Sequence, residues 1–297
     1  NQLKLPVGQY SPLSGMGSGE LAGISRSIHR SQGAGTPSVP GVQTEYFKYV
    51  DGDSLSESLF DGIDITWNRV DRPEIGDAIK QILKAYNFRH PEESLESLIA
   101  LRKQIETVEN TYWRAQKLAE LDEIILHCAG IMAELTTKQA EATAGSKIPF
   151  TLRMIARAGM PVRVKSIKWP NADTITTIRL SEDTLFTLDH NIMIPANTPV
   201  TEPYWLSQVG PANDHYTPGN AMQRGYPEAP NTLAATVRVK IGGNYFDMQV
   251  PLSYKKLDPT HGDIIEPLRI VPAASLDFTS GNLLVMQPDG SIKAEVH

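Results

Sequence analysis

Residues 113–135, WRAQKLAELDEIILHCAGIMAEL, constrain the fold of this chain most. Leu118, Leu121, Ile125, Cys128, Met132 and Leu135 recur in steps of three and four, which draws one continuous apolar stripe along a helix. Ile124 and Ile131 add a second row, so this helix is expected to be buried on more than one side. No proline interrupts it, and Gly130 is tolerable there at a cost of roughly 1 kcal/mol. Before this stretch the chain reads mostly as helix, and from about Ile148 onward it reads as strand. The stretch is therefore expected to be the spine of a helical layer and the pivot between two regimes.

Upstream, residues 6–19 read as a loop, and Gly15, Gly17 and Gly19 precede a short helix over about 20–31 that Gly33 or Gly35 can cap. A glycine loop before a helix can cradle phosphate. With no strand expected ahead of it and no Gly-Lys-Ser/Thr, flexible connection is the better reading. Residues 36–71 read as irregular, with an aromatic patch at Tyr46, Phe47 and Tyr49 and a turn at Asp61-Gly62. Pro73 then opens a helix with Ile75, Ala78, Ile79, Ile82 and Tyr86 on one face. Pro91 opens another with Leu95, Leu98, Ile105 and Val108 aligned. These two and the spine helix are expected to form an antiparallel bundle or a layer.

Residues 136–147, TTKQAEATAGSK, are small and polar and are the best linker candidate. Beyond them come IPFTLRMIARAG, PVRVKSIKW, TITTIRL, TLFTLD and NIMIP, short runs rich in Ile, Thr, Val and Phe and separated by turn residues. Residues 207–231 read as a long loop. Val237, Val239 and Ile241, a Gly242-Gly243-Asn244 turn, and Phe246, Met248 and Val250 spell a hairpin. The expected class is α+β multidomain: a helical segment followed by an antiparallel Ig-like β-sandwich, with the start of a further β domain. The divisions are residues 1–40, a helical segment 41–140, a β-sandwich 148–272, and an incomplete second β domain 273–297.

Composition excludes several functions. A net charge of −6 over 297 residues, with a pI of about 5.7, leaves no basic balance for a nucleic-acid binder. No apolar run approaches the roughly 20 residues needed to span a bilayer. The opening NQLKLPVGQY has no apolar leader, and a chain beginning at Asn1 reads as a processed or partial polypeptide. The single cysteine, Cys128, sits on the helical stripe and reads as a small core hydrophobe.

Among the seven histidines no HxH, HxxxH or HExxH spacing occurs, so no local zinc site is expected. There is no GxSxG nucleophile. His90-Pro91-Glu92-Glu93 has the look of a His-Pro-Asp-Asp metal motif but follows a polar helix end instead of an apolar strand. Proline and glutamate are what a helix start needs. Tyr204, Trp205, Tyr216 and Tyr226 are candidates to stack on sugar rings, or else to seal the end of a β core.

The segments SRSIHRSQGAG (25–35), TEYFKYVDG (44–52), LFDGIDITWNRV (59–70), TEPYWL (201–206) and VPLSYKKLDPTHGDIIEPLRIVPA (250–273) together resemble the PIG-L (LmbE-like) deacetylase family, in its multidomain Bacteroidota form. The resemblance implies a zinc-dependent N-acetyl-sugar deacetylase with an upstream catalytic domain, a secretion signal and hence an extracytoplasmic location. It implies that residues 1–35 are the end of the catalytic domain, with His29 and Gln32 near its active site. No residue matches the metal ligands or general base, so no catalytic residue, metal site or cofactor is assigned to this chain, zinc belonging to the parent family. The expected role is an accessory part that braces a catalytic domain and positions glycan. The rival readings are a carbohydrate-binding module and a docking component of a cell-surface complex, with a protein partner and no nucleic acid.

Overall fold

The computed structural model describes residues 2–32, 35–52, 57–206, 225–226 and 233–275. The chain divides into two compact units, residues 1–74 and 75–297.

In the first unit a strand ahead of the glycine segment, β1 (Gln2–Pro6), pairs antiparallel with β4 (Thr44–Lys48), so Tyr46 and Phe47 of the aromatic patch sit on a strand, with Tyr49 just past its end. Between them, β2 (Tyr10–Ser11) and β3 (Met16–Gly17) make a small hairpin that leads into α1 (Ser18–Ile28). The Gly17 amide donates to the Glu20 carboxylate at 2.7 Å. That donor is consumed inside the loop, which supports connection over phosphate binding. The helix stops at His29, short of the expected end at 31; Gly35 lies beyond it, and Gly33 falls outside the described residues.

α2 (Pro73–Ala85) begins at the expected proline and buries Ile75. A 3-10 turn, Pro91–Ser94, runs into α3 (Leu95–Glu106), which buries Leu95, Leu98, Ile99, Leu101 and Ile105. His90 Nδ1 lies 3.1 Å from Glu92 at the surface, as a helix start requires. The spine is shorter than its stripe. α4 (Thr111–Cys128) is capped by the Asn110 side chain, which accepts from the Trp113 amide at 3.1 Å. It ends where Gly130 takes a φ of +62°. Beyond that glycine the chain becomes β5 (Ile131–Thr137), so Met132 and Leu135 belong to a strand. Ile124 is 48% exposed, so the second buried row is not the expected one; Leu126 is buried instead, about 100° round the helix from the main face. That face carries Leu121, Ile125 and Cys128, and burial pushes the Cys128 thiol up from its ordinary value. α3 and α4 pack together, tied by the Arg102–Asp122 ion pair, while Glu106 holds Arg102 from within α3.

The rest of the second unit is a large curled sheet. Its strands are β5, β7 (Lys147–Ala156), β8 (Val162–Trp169), β9 (Ala172–Leu180), β10 (Phe186–Met193), β11 (Ala234–Ile241), β12 (Asn244–Asp258) and β13 (Gly262–Pro267). The order is β10-β7-β5-β12-β11-β8-β9, with β13 on β12. The expected hairpin is present: β11 and β12 are joined at Gly242-Gly243, both with positive φ, and Ile241 faces Asn244. β12 runs on past it. Its first half pairs with β11, and its second half pairs with β13 and, in parallel, with β5. The sheet is therefore mixed and not purely antiparallel. A second parallel pair joins β6 (Glu141–Ala142) to β14 (Arg269–Ile270).

Residues 136–147 are not a linker. Thr136 and Thr137 are buried on β5, and β6 follows. Alternation sorts the strands: Ile148, Phe150, Leu152 and Met154 of β7 face inward with Val237, Val239 and Ile241 of β11. The curl brings ends of the strand order together, since Trp169 of β8 stacks on His190 of β10 at 4.4 Å between ring centroids. Of the region 273–297, residues 276–297 lie outside the described residues.

Candidate functional site

The outward half of the same alternation builds a cleft of about 1030 Å³ across β10, β7, β5, β12 and β13. The register aligns Asp189 with Thr151, Thr151 with Thr136, and Thr136 with Ser253, a polar row crossing four strands. The Thr151 hydroxyl donates to the Asp189 carboxylate at 2.7 Å. Glu134, beside this row, accepts from Arg153 at 3.4 Å and from Lys255 at 3.2 Å. Lys255 also reaches Asp263 at 3.0 Å. The hydrogen bond to Asp263, and then the contact with Glu134, hold the Lys255 ammonium above its ordinary value despite partial burial.

This network leaves two cations uncommitted. Lys138, just past β5, and Lys147, opening β7, both line the cleft and are exposed. Among the described residues neither has a carboxylate within ion-pair distance. Asn191 adds a free amide on β10. The cleft thus offers ammonium donors, an amide, threonine hydroxyls and carboxylates around an open floor. Donors and acceptors of this kind are chemically suited to hydrogen-bonding a polar ligand. Among the described residues no three His, Cys, Asp or Glu side chains converge as metal ligands do.

The residues singled out from sequence lie elsewhere. His29 caps the end of α1 in the first unit, where the Gln32 amide donates to its carbonyl at 2.9 Å, and both side chains are exposed. Tyr204, Trp205 and Tyr226 do come together. Tyr204 and Trp205 meet edge to face at 5.1 Å, and the Tyr204 hydroxyl donates to the Tyr226 carbonyl at 2.8 Å. Thr201, just ahead, exchanges two hydrogen bonds with Ile270, which anchors this turn. Tyr216 lies outside the described residues.

Sequence reasoning misses Lys138 and Lys147 because both fall at the borders of the stretch that reads as a linker. The signal is present in the polar positions of KIPFTLRM and FTLDHN, which recur every second residue on adjacent strands.

No protein-family model matches this chain, and no curated protein does. Among solved structures, it is similar to the alkylpurine DNA glycosylase AlkC of Pseudomonas fluorescens bound to DNA containing an abasic site analog. Identity is 10% over 54% of this chain and 50% of that one, with a TM-score of 0.20. It is also similar to Spo0M, the sporulation control protein of Bacillus subtilis, at 7% identity over 41% of this chain and 49% of that one, with a TM-score of 0.18. The chain spans about half the length of each.

Proposed function

We propose that this chain is a non-catalytic accessory module of a PIG-L-like deacetylase, and that its cleft holds an N-acetylated glycan for an associated catalytic domain. The observation that carries this is the cleft with its uncommitted Lys138 and Lys147 beside the Thr151–Asp189 row. Sugar hydroxyls and acetamido carbonyls need closely spaced donors and acceptors of this kind. In this reading the two halves of the curled sheet, joined through β12, are the two leaves of an Ig-like β-sandwich, and the protein works outside the cytoplasm. The accessory role itself draws its support from the sequence resemblance.

The test is calorimetric titration of the chain with tetrameric N-acetylglucosamine. The double variant Lys138→Ala/Lys147→Ala is expected to bind about a hundredfold more weakly or worse, since each of the two hydrogen bonds from a charged donor contributes about 1.5–3 kcal/mol. Saturable binding that the double variant leaves unchanged rejects the cleft. Tight binding of one zinc with deacetylation by this polypeptide alone rejects the accessory role.

The gathering of Tyr204, Trp205 and Tyr226 supports a second location for sugar contact. Its geometry favours a clasp, because the Tyr204 hydroxyl is spent on a main-chain carbonyl. Trp205→Ala is therefore expected to lower the thermal midpoint by about 5 °C and to leave glycan affinity intact. An unchanged midpoint with affinity lost would move the sugar site to these aromatics.

A further inference from the structure

The outer face of the other half of the sheet is basic. Across β9, β8 and β11 the register places Arg179 opposite Arg163, and Arg163 opposite Lys240. Directly opposed like charges on adjacent strands destabilise a sheet, and strands lie about 4.8 Å apart. Lys165, Lys168 and Arg238 extend the patch along β8 and β11. The acids on these strands and on the part of β12 that pairs with β11, Asn244–Pro251, are Asp173 and Asp247. Asp247 is committed to Arg238 through two hydrogen bonds of 2.7 Å, and that guanidinium holds its carboxyl below the usual range. Among the described residues Arg163, Arg179, Lys165, Lys168 and Lys240 have no carboxylate within ion-pair distance; Lys165 reaches the Thr177 hydroxyl at 3.2 Å, and Lys240 lies 5.5 Å from the Tyr245 ring centroid. A chain with a net charge of −6 thus places six of its 28 lysines and arginines on this one face.

The face also has a hollow. Arg163 and Lys240 line a depression of about 220 Å³ together with Met160, Pro161 and the Gly242-Gly243 turn. That is room for one anionic group between two cations.

We propose that this face binds an acidic polysaccharide, with one sulfate or carboxylate seated between Arg163 and Lys240. The cations alternate with neutral hydrogen-bonding side chains, Ser166, Thr177, Thr236 and Gln249, which suit sugar hydroxyls. Among the described residues Tyr245 is the one aromatic that the contacts place beside the patch, too few for base stacking along a nucleic-acid strand. The proposal is independent of the cleft on the opposite half.

The test uses the whole chain and three probes: dextran sulfate, a DNA duplex, and vesicles with anionic phospholipid, each at about 50 and 150 mM salt. Dextran sulfate is expected to bind, more weakly at the higher salt, and neutral dextran is not. Arg163→Gln/Lys240→Gln and the single variant Arg179→Gln are each expected to weaken dextran sulfate binding, the double variant about tenfold. Both should melt at or above the parent temperature, because each removes like-charge repulsion. Lys138→Ala/Lys147→Ala should leave this binding unchanged. Tighter binding of DNA or vesicles than of dextran sulfate overturns the proposal. So does dextran sulfate affinity that neither face variant alters.

Discussion

Gly130→Ala is expected to destabilise the sheet-bearing unit by about 3 kcal/mol. Two terms add. At φ +62° an L residue costs about 1–2 kcal/mol. The new Cβ would also lie 2.9 Å from the Arg157 Cβ and 3.0 Å from the Ala158 amide nitrogen. Neither neighbour can swing away cheaply, because the Arg157 amide donates to the Gly130 carbonyl at 3.0 Å. Gly145 is the control. It has φ +80° with open space around its missing Cβ, so alanine there costs the backbone term alone, about 1 kcal/mol. Urea denaturation of both variants separates the terms, and equal losses at the two sites would refute the steric part.

Trp169→Ala is the second large effect, about 4 kcal/mol by the same measurement. Trp169 is 1% exposed and is the bulkiest of the fully buried side chains. Its indole donates to the Thr174 hydroxyl at 3.0 Å, and its face carries the His190 ring. Truncation leaves a cavity and an orphaned hydroxyl and frees His190, which lines the cleft. Trp169→Phe keeps the stack and loses the hydrogen bond, so it should cost roughly half as much. A loss below 1 kcal/mol for alanine, within the range of surface substitutions, would mean that the inner face is not packed as described.

The elements most legible in the sequence are those in which local chemistry and tertiary packing agree. The hairpin of β11 and β12 is spelled by period-two valines and by a glycine pair that alone accepts two positive φ angles. α3 is spelled by Pro91 and by apolar residues at helical spacing. The end of α4 is not legible from spacing. Ile131, Met132 and Leu135 continue the helical period by coincidence while alternating on a strand, and Gly130 is the sole local sign of the change. β1 and β4 are missed because their pairing lies between segments about forty residues apart and depends on neither segment's own pattern. The cleft is hard to see for the same reason. Asp189, Thr151 and Thr136 become a row through register between distant strands, and nothing local to each residue announces it.

β12 carries a kinetic consequence. The Glu134–Lys255 pair that accompanies its parallel ladder with β5 closes a separation of 121 residues. Most other ladders of the sheet join near neighbours in sequence. Entropy must be surrendered before so remote a contact returns anything. The helices and hairpins should therefore assemble early, and the β5–β12 seam should close late, governing the overall folding rate. Until it closes, β5 presents an unpaired edge beside β7, the point at which a half-folded chain is most exposed to pairing with another copy of itself.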